Sequence, residues 1–212
     1  MYNYKSVLVL TLVMLCSATN AQVASKGFYF EGIYRANHLT FTPAAFDAVE
    51  NINLFGLGGG LNTYWGINEK NEVRVSPAFS GELESLKFTG MGGFLKHTVA
   101  SLSIKLPIHA IFKMGSQSNY SFVGGITPYY GILGGKISSY DHFQYNRFDL
   151  TLDGGFSYSF KSKKRIISPE IKYSQSVING NSKSGVYAST IDVYLRNRIS
   201  LVVTFRRLKS EN

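Results

Sequence analysis

The residues best suited to covalent chemistry in this sequence are Asp141 and His142, which are neighbours in the chain. A carboxylate beside an imidazole could orient a general base, as a hydrolytic enzyme requires. The sequence shows no nucleophile partner and no oxyanion-hole motif for such a site, so we interpret the pair as part of a polar loop. His109 lies in a segment of alternating polar and apolar residues. We expect it to be a hydrogen-bonded interior residue rather than a ligand or a catalytic base.

The glycine run 56–60 has the glycine content of a phosphate-binding loop but not its pattern. Leu61 occupies the place of the last glycine in G-x-G-x-x-G, and no Gly-Lys-Ser/Thr follows. Histidines and carboxylates do not cluster at the spacing of metal ligands. Cys16 is the only cysteine. The sequence therefore predicts no cofactor, no metal site and no disulfide, and we expect a protein that is not an enzyme.

Alternation of apolar and polar residues dominates the last third of the chain. In the segment 147–160, Phe148, Leu150 and Leu152 alternate with Asp149 and Thr151, and the segments 167–177 and 191–205 continue the same pattern. A period of two residues indicates strands with one apolar and one polar face. Strands in soluble sheets average about five or six residues. Three consecutive strands of this length favour a membrane-spanning β-barrel.

The same pattern recurs along the rest of the chain and predicts eight strands: 27–36, 53–65, 72–86, 101–112, 120–133, 147–160, 167–177 and 191–205. The connections 66–71, 113–119 and 162–164 are short, whereas 37–52, 87–97, 134–146 and 178–185 are longer and more polar. Bacterial outer-membrane barrels have short periplasmic turns and longer extracellular loops. The fold prediction is an all-β, eight-stranded antiparallel transmembrane β-barrel with that arrangement of turns and loops.

The polar faces of these strands carry charges of both signs: Glu31, Arg35, Arg74, Glu82, Lys105, Asp149, Asp153, Glu170, Lys172, Asp192, Arg196 and Arg198. An eight-stranded barrel is just wide enough for its side chains to fill it, so we expect ion pairs to fill the lumen. The candidate charge network is Glu31, Arg74, Lys105, Asp153, Glu170, Asp192, Arg196 and Arg198. Within it we expect Glu170 and Asp153 to oppose Arg196 and Arg198, with Glu31 as a further partner of these arginines.

The first 21 residues have the pattern of a cleaved signal peptide. Lys5 precedes an apolar core, and the small-residue stretch that follows ends at Ala21. We expect cleavage there, leaving the barrel domain 22–212. The formal charge of the whole chain is +9. Its basic residues are scattered rather than clustered, so we expect no nucleic-acid partner and an electrostatic attraction to anionic membrane lipid.

Several segments resemble an outer-membrane β-barrel family common in Bacteroidetes, and within it the PorT-like proteins. They are Ser103-Ile-Lys-Leu-Pro107, 122–130, Asp153-Gly-Gly-Phe156, Ser168-Pro-Glu-Ile171, Val177-Ile-Asn179 and the closing run 199–205. The resemblance covers most of the mature chain. It implies a part in protein secretion across the outer membrane and in gliding motility. The tail 206–212, which extends past Phe205, departs from barrels that end on their terminal aromatic residue.

The function expected from the sequence is that of a non-enzymatic outer-membrane barrel associated with type IX secretion. The expected partners are outer-membrane lipid, the barrel-assembly machinery during insertion and other proteins of the secretion system. A structural or adhesin-like surface barrel is the alternative, followed by an outer-membrane enzyme or a small porin. A general diffusion porin is disfavoured, because open pores need about sixteen strands.

Overall fold

The computed structural model describes residues 23–35, 38–41, 48–68, 70–90, 93–115, 118–133, 146–180 and 191–207. Within these ranges, no helix is long and apolar enough to cross a membrane. The predicted signal peptide 1–21, Asp141 and His142 lie outside the described residues, and their interpretation stays a prediction.

The described residues form antiparallel strands in chain order. They are β1 (Val23–Arg35), β2 (His38–Phe41), β3 (Ala48–Gly66), β4 (Asn71–Val75), β5 (Ala78–Gly90), β6 (Gly93–Lys105), β7 (Ile108–Lys113), β8 (Tyr120–Leu133), β9 (Phe148–Tyr158), β10 (Phe160–Ser162), β11 (Arg165–Ser176), β12 (Ile191–Leu195) and β13 (Arg198–Arg207).

The sheet closes on itself as a barrel. Neighbouring strands follow the order β1, β13, β11, β9, β8, β6, β5 and β3, and β3 pairs with β1 again. β4 and β5 follow each other along one strand of the barrel, and so do β6 and β7. β4 pairs with β3 and β7, and β7 also pairs with β8. Glu31 shows the closure, because it lies opposite Val202 of β13 on one side and Gly58 of β3 on the other. The predicted eight-stranded antiparallel barrel is confirmed.

The barrel is polar inside and apolar outside. On β1, Phe30 is 63% exposed and the next residue, Glu31, only 3%. On β13, Leu201 is 65% exposed while Val202 is 3% exposed. A soluble barrel would bury its apolar face, because removing apolar surface from water is the main favourable contribution to folding. In this barrel the apolar face is exposed instead, and that arrangement requires an apolar solvent around the barrel.

Aromatic side chains form a belt on the outer surface near the short turns. Phe28 of β1 stacks on Phe205 of β13, with ring centroids 5.0 Å apart. Farther round the barrel, Tyr120 lies 4.9 Å from Tyr158 between ring centroids. Aromatic girdles of this kind occur where outer-membrane barrels meet the headgroup region.

Two predicted strands are interrupted at prolines. The predicted strand 72–86 divides into β4 and β5 around Pro77, and the predicted strand 101–112 divides into β6 and β7 around Pro107. Proline has no N–H to donate to a strand ladder. Its carbonyl still accepts, as in the hydrogen bond of 2.9 Å from the Ser76 N–H to the Pro107 oxygen. Each interrupted strand therefore keeps its direction and its place in the sheet.

Two of the predicted long loops are partly strand. The predicted loop 87–97 is largely a hairpin, since β5 continues to Gly90, which pairs with Gly93 of β6. The predicted loop 37–52 contains β2 and the first residues of β3, which pair with β12 and β5. The predicted strand 191–205 is interrupted between β12 and β13, and β12 pairs with β2 in the same register as β13 with β1. Backbone hydrogen bonds therefore extend these strands past the predicted bounds.

Candidate functional site

The lumen holds charged side chains of both signs that are buried. Among the described residues, six buried carboxylates accompany five buried lysines and arginines: Glu31, Glu72, Glu82, Asp149, Asp153 and Glu170, with Arg35, Arg74, Lys105, Lys172 and Arg198. An isolated buried charge costs several kcal/mol. Opposite charges and hydrogen bonds must therefore compensate each of them, and the contacts form three clusters along the barrel axis.

The loop-end cluster lies where β1 ends and β13 begins, beside the longer connections. Glu82 accepts hydrogen bonds from Nε of Arg35 at 2.6 Å and from Nε of Arg198 at 3.2 Å. Arg198 also donates through Nη1 to Asp149 at 3.3 Å. Nε of Arg196 lies 3.4 Å from the same Asp149 carboxylate. Each of the two carboxylates thus contacts two arginines, and Arg198 joins the two carboxylates.

The central cluster is built around Glu31. Lys105 donates a hydrogen bond to Oε2 of Glu31, and Nζ of Lys172 lies 3.5 Å from its Oε1. The Lys105 ammonium also lies 6.0 Å from the centroid of the Tyr29 ring and 5.8 Å from that of Tyr129. Attraction to the faces of aromatic rings adds to the pairing of a desolvated cation.

The turn-end cluster lies nearer the short turns and contains a histidine. Arg74 binds Glu170 through two hydrogen bonds, of 2.9 Å and 3.1 Å, and its Nη2 lies 2.9 Å from Nδ1 of His109. Because Arg74 can only donate, Nδ1 of His109 accepts, and Nε2 donates to Asp153 at 2.7 Å. Thr127 donates to the same oxygen of Asp153. Both ring nitrogens of His109 are hydrogen-bonded, so the imidazole has a structural role in the lumen.

These clusters fill the middle of the lumen. A cavity beside Arg74, His109 and Lys172 has a volume of only about 10 Å³, which is at the lower limit for holding one water molecule. Ion pairs that fill the interior of a narrow barrel block a continuous aqueous path. In the part of the chain that the structure describes, no three His, Cys, Asp or Glu side chains are grouped so that they could hold a metal ion.

A solved outer-membrane protein has a similar architecture. The outer membrane protein OprG from Pseudomonas aeruginosa matches with a TM-score of 0.54 at 12% identity, and the match covers 89% of this chain and 98% of OprG. The chain therefore has the fold of an outer-membrane β-barrel. The translocator domain of autotransporter NalP from Neisseria meningitidis matches with a TM-score of 0.41 at 7% identity, covering 97% of this chain and 96% of that domain. No protein-family model and no curated protein matches the sequence.

The structure places most of the candidate network in the lumen of this barrel. Of the eight candidates, Glu31, Arg74, Lys105, Asp153, Glu170, Arg196 and Arg198 take part in the contacts described above. Asp192 lies on β12, outside the barrel sheet, and its side chain is outside the described residues.

The expected pairing within the network was wrong. Glu170 pairs with Arg74, and Asp153 pairs with His109, rather than with Arg196 or Arg198. Glu31 pairs with lysines instead of these arginines. The reason is the register: Glu170 lies level with Val202, whereas Arg198 lies level with Ser174. Four residues along a strand separate two side chains by about 13 Å.

Four participants were missing from the candidate network although alternation had placed them on the polar face. They are Arg35, Glu82, Asp149 and Lys172, which all lie in the lumen. Only their position on the polar face of a strand indicated them. On that basis, every charged residue of the polar faces could have been included in the candidate network. The contribution of His109 as a link between Arg74 and Asp153 needs the three-dimensional arrangement of β4, β7 and β9.

Glycines of β3 make room for the central cluster. A Cβ atom at Gly58 would lie 3.2 Å from Nζ of Lys105 and 3.3 Å from Oε2 of Glu31. It would also lie 3.2 Å from the backbone oxygen of Phe79. Any larger side chain at this position must displace the ion pair. The glycine run that resembled a phosphate loop therefore has a packing role at Gly58.

Replacing Gly58 with valine is expected to destabilise the barrel by about 1 to 3 kcal/mol, the usual cost of overpacking. The heat-modifiable shift on semi-native gels measures the loss as a lower transition temperature. Gly81→Val is the matched control, because a Cβ at Gly81 meets nothing within 4 Å. Equal losses in both variants would show that the ion pair does not limit the space at Gly58.

Proposed function

We propose that this protein is an integral outer-membrane barrel that does not conduct and that supports protein secretion, as a PorT-like component of type IX secretion. Its signal peptide directs export, and the barrel inserts with its apolar face toward lipid. The observation that carries the membrane assignment is the exposed apolar surface around a buried, ion-paired interior. The aromatic belt and the fold shared with OprG agree with it.

The filled lumen determines how such a barrel can act. Because ion pairs occupy the interior, the polypeptide cargo has no path through it. The barrel must act through the surfaces at its two ends, as a scaffold for other secretion proteins. The secretion role itself is supported by the resemblance of segments such as Ser168-Pro-Glu-Ile171 to PorT-like proteins.

Two measurements on the native protein test this proposal. Deletion of the gene should cause proteins normally exported to the surface to accumulate in the periplasm, and the wild-type gene should restore their export. Purification from outer membranes in mild detergent should recover the barrel together with secretion proteins. Normal export in the deletion strain and recovery of the barrel alone would instead indicate a structural or adhesin-like role.

The filled lumen predicts that the purified barrel gives no steady conductance in planar bilayers. The expected recordings show only the baseline of the lipid, since opening a path would require the buried ion pairs to separate. Denatured protein added at the same concentration controls for detergent effects. A stable channel of porin size would show that the ion pairs do not close the lumen.

The lengths of the connections predict that 134–146 faces the cell exterior and that 162–164 faces the periplasm. A protease site inserted near Tyr140 should be cut when protease is added to intact cells. The same site inserted at Lys163 should be cut only after the outer membrane is permeabilised. The opposite pattern would mean that the barrel is inverted.

A further inference from the structure

A groove on the outer wall of the barrel lies over three neighbouring strands. Its volume is about 420 Å³, and Phe30 of β1, Gly59 of β3 and Phe79 of β5 line it. These residues lie at one level of the sheet, because Gly59 is opposite Phe30 on one side and opposite Phe79 on the other. Both phenylalanines are exposed, at 63% and 59%. The two rings therefore form walls, and the glycine, which has no side chain, forms a low floor between them.

Apolar residues also line the groove toward the end of the barrel that carries the short turns. They are Phe28, Leu61 and Pro77. Leu61 lies opposite Phe28, and its N–H donates to the Pro77 oxygen at 3.1 Å. The groove therefore reaches the aromatic belt, where Phe28 stacks on Phe205. On a surface that faces lipid, apolar walls of this kind can bind a hydrocarbon chain through dispersion contacts.

Three cationic side chains lie just beyond this part of the belt, toward the short turns. They are Lys26 of β1, Arg207 of β13 and Arg165 of β11, and all three are exposed. Arg165 lies opposite Arg207. Lys26 is level with Arg207, because the next residues toward the barrel centre, Gly27 and Arg206, are paired. Closure of the barrel thus brings together cations that are far apart in the sequence.

The cations and the groove form one continuous surface. The guanidinium carbon of Arg165 lies 5.9 Å from the centroid of the Phe28 ring, so this side chain reaches across β13 to β1. Phe28 itself lines the groove. Lys26 is two residues from Phe28 on the same strand, so the two side chains share a face and are about 7 Å apart along it. A ligand bound at the cations can therefore extend into the groove.

We propose that this surface binds an anionic glycerophospholipid, with its phosphate at Lys26 and Arg165 and one acyl chain over Gly59. Lysine and arginine near a membrane surface attract anionic headgroups, and a guanidinium can donate to two phosphate oxygens at once. The glycerol and ester groups of the lipid span the step from the cations to the groove. The site rests on the proposed insertion into a membrane and not on the proposed role in secretion.

Quenching of a single tryptophan by brominated acyl chains tests the site in bilayer discs. Trp65→Phe removes the native tryptophan, and Phe30→Trp places a reporter in the wall of the groove. The discs contain phosphatidylcholine with a minority of phosphatidylglycerol, and one of the two lipids is brominated at a time. Per molecule of lipid, brominated phosphatidylglycerol is expected to quench this reporter about tenfold more strongly than brominated phosphatidylcholine.

Phe156→Trp in the same Trp65→Phe background is the matched control reporter. Phe156 is 56% exposed and lies on β9, which is on the opposite side of the barrel from β1 and β3. Both lipids should quench it in proportion to their amounts. A preference for phosphatidylglycerol that is equal at the two reporters would reflect the whole surface of the barrel and would overturn the proposal.

Single charge removals identify the headgroup site. Lys26→Gln and Arg165→Gln should each lower the preference for phosphatidylglycerol at the groove about fivefold, whereas Lys26→Arg should retain it. Lys164→Gln is the charge-matched control, because it removes a charge from an exposed turn residue at the same end of the barrel. If Lys164→Gln lowers the preference as much as Lys26→Gln, the lipid responds to the general charge of this end and the proposal is overturned. The heat-modifiable gel shift verifies that each variant is folded.

The same discs separate failure of the site from failure of insertion. Quenching at the Phe156→Trp reporter shows that the barrel is in the bilayer. Equal quenching by the two lipids at the groove would then overturn the site alone, whereas no quenching at either reporter would overturn both insertion and the site. Glycerol 3-phosphate in large excess should not relieve quenching at the groove, because it has no acyl chain. Full relief would mean that the cations bind a phosphate without the groove, and the lipid would be the wrong ligand.

Discussion

Glu82→Ala is expected to lower the free energy of unfolding by about 3 to 5 kcal/mol, the usual cost of leaving a buried charge without its partner. Glu82 accepts from Arg35 and Arg198, and its side chain is 2% exposed. Its loss removes the carboxylate that these two guanidinium groups share. Asp149 remains 3.3 Å from Nη1 of Arg198, so it compensates only part of the lost charge.

Urea unfolding in lipid vesicles, followed by the fluorescence of Trp65, measures this loss, since Trp65 is the only tryptophan. Glu72→Ala is the matched control. Glu72 pairs with Arg206, whose side chain is 20% exposed, against 2% for the side chains of Glu82 and Arg198. Removing one partner of the pair nearer to solvent is therefore expected to cost less. Similar losses in the two variants would show that burial does not determine the strength of these pairs.

The sequence predicts the faces of the strands well because alternation is a local property. Glu31 and Val202 point inward in the structure, and both follow from the parity of their own strands. The number of strands and their antiparallel order also follow from alternation and from the lengths of the connections. These features need no knowledge of how distant parts of the chain are aligned.

The sequence does not predict which charges meet, because pairing depends on the stagger between strands and on contacts across the lumen. Arg74 and Glu170 are far apart in the chain and lie on strands that are not neighbours in the sheet. Alternation also continues through residues 191–207 although the strand is interrupted between β12 and β13. A period of two residues indicates an extended strand and does not reveal its pairing partner.

The filled lumen explains why the fold alone does not assign a function to this protein. The buried carboxylates of the three clusters are paired with other residues of the chain, and His109 is hydrogen-bonded at both ring nitrogens. The charged groups of the interior therefore serve the barrel itself, and a partner protein must bind elsewhere on its surface.

The pair of Arg74 and Glu170 allows a direct measurement of how much an ion pair stabilises the lumen. Arg74→Met and Glu170→Met are each expected to lower the free energy of unfolding by about 3 to 5 kcal/mol, since each leaves one buried charge unpaired. The double variant should cost far less than the sum, because it removes both charges and replaces them with apolar side chains of similar length. Replacing both partners of a buried pair is often close to neutral.

The expected coupling between Arg74 and Glu170 is therefore about 3 kcal/mol, at the upper end of measured pairs. The bidentate geometry, with bonds of 2.9 Å and 3.1 Å, is the reason. Arg206→Met and Glu72→Met supply the control cycle, and its coupling is expected to be smaller because the side chains of that pair are 20% and 11% exposed. A coupling near zero for Arg74 and Glu170 would mean that solvent entering from the turn end of the barrel compensates each charge separately. The lumen would then be closed by the central and loop-end clusters alone.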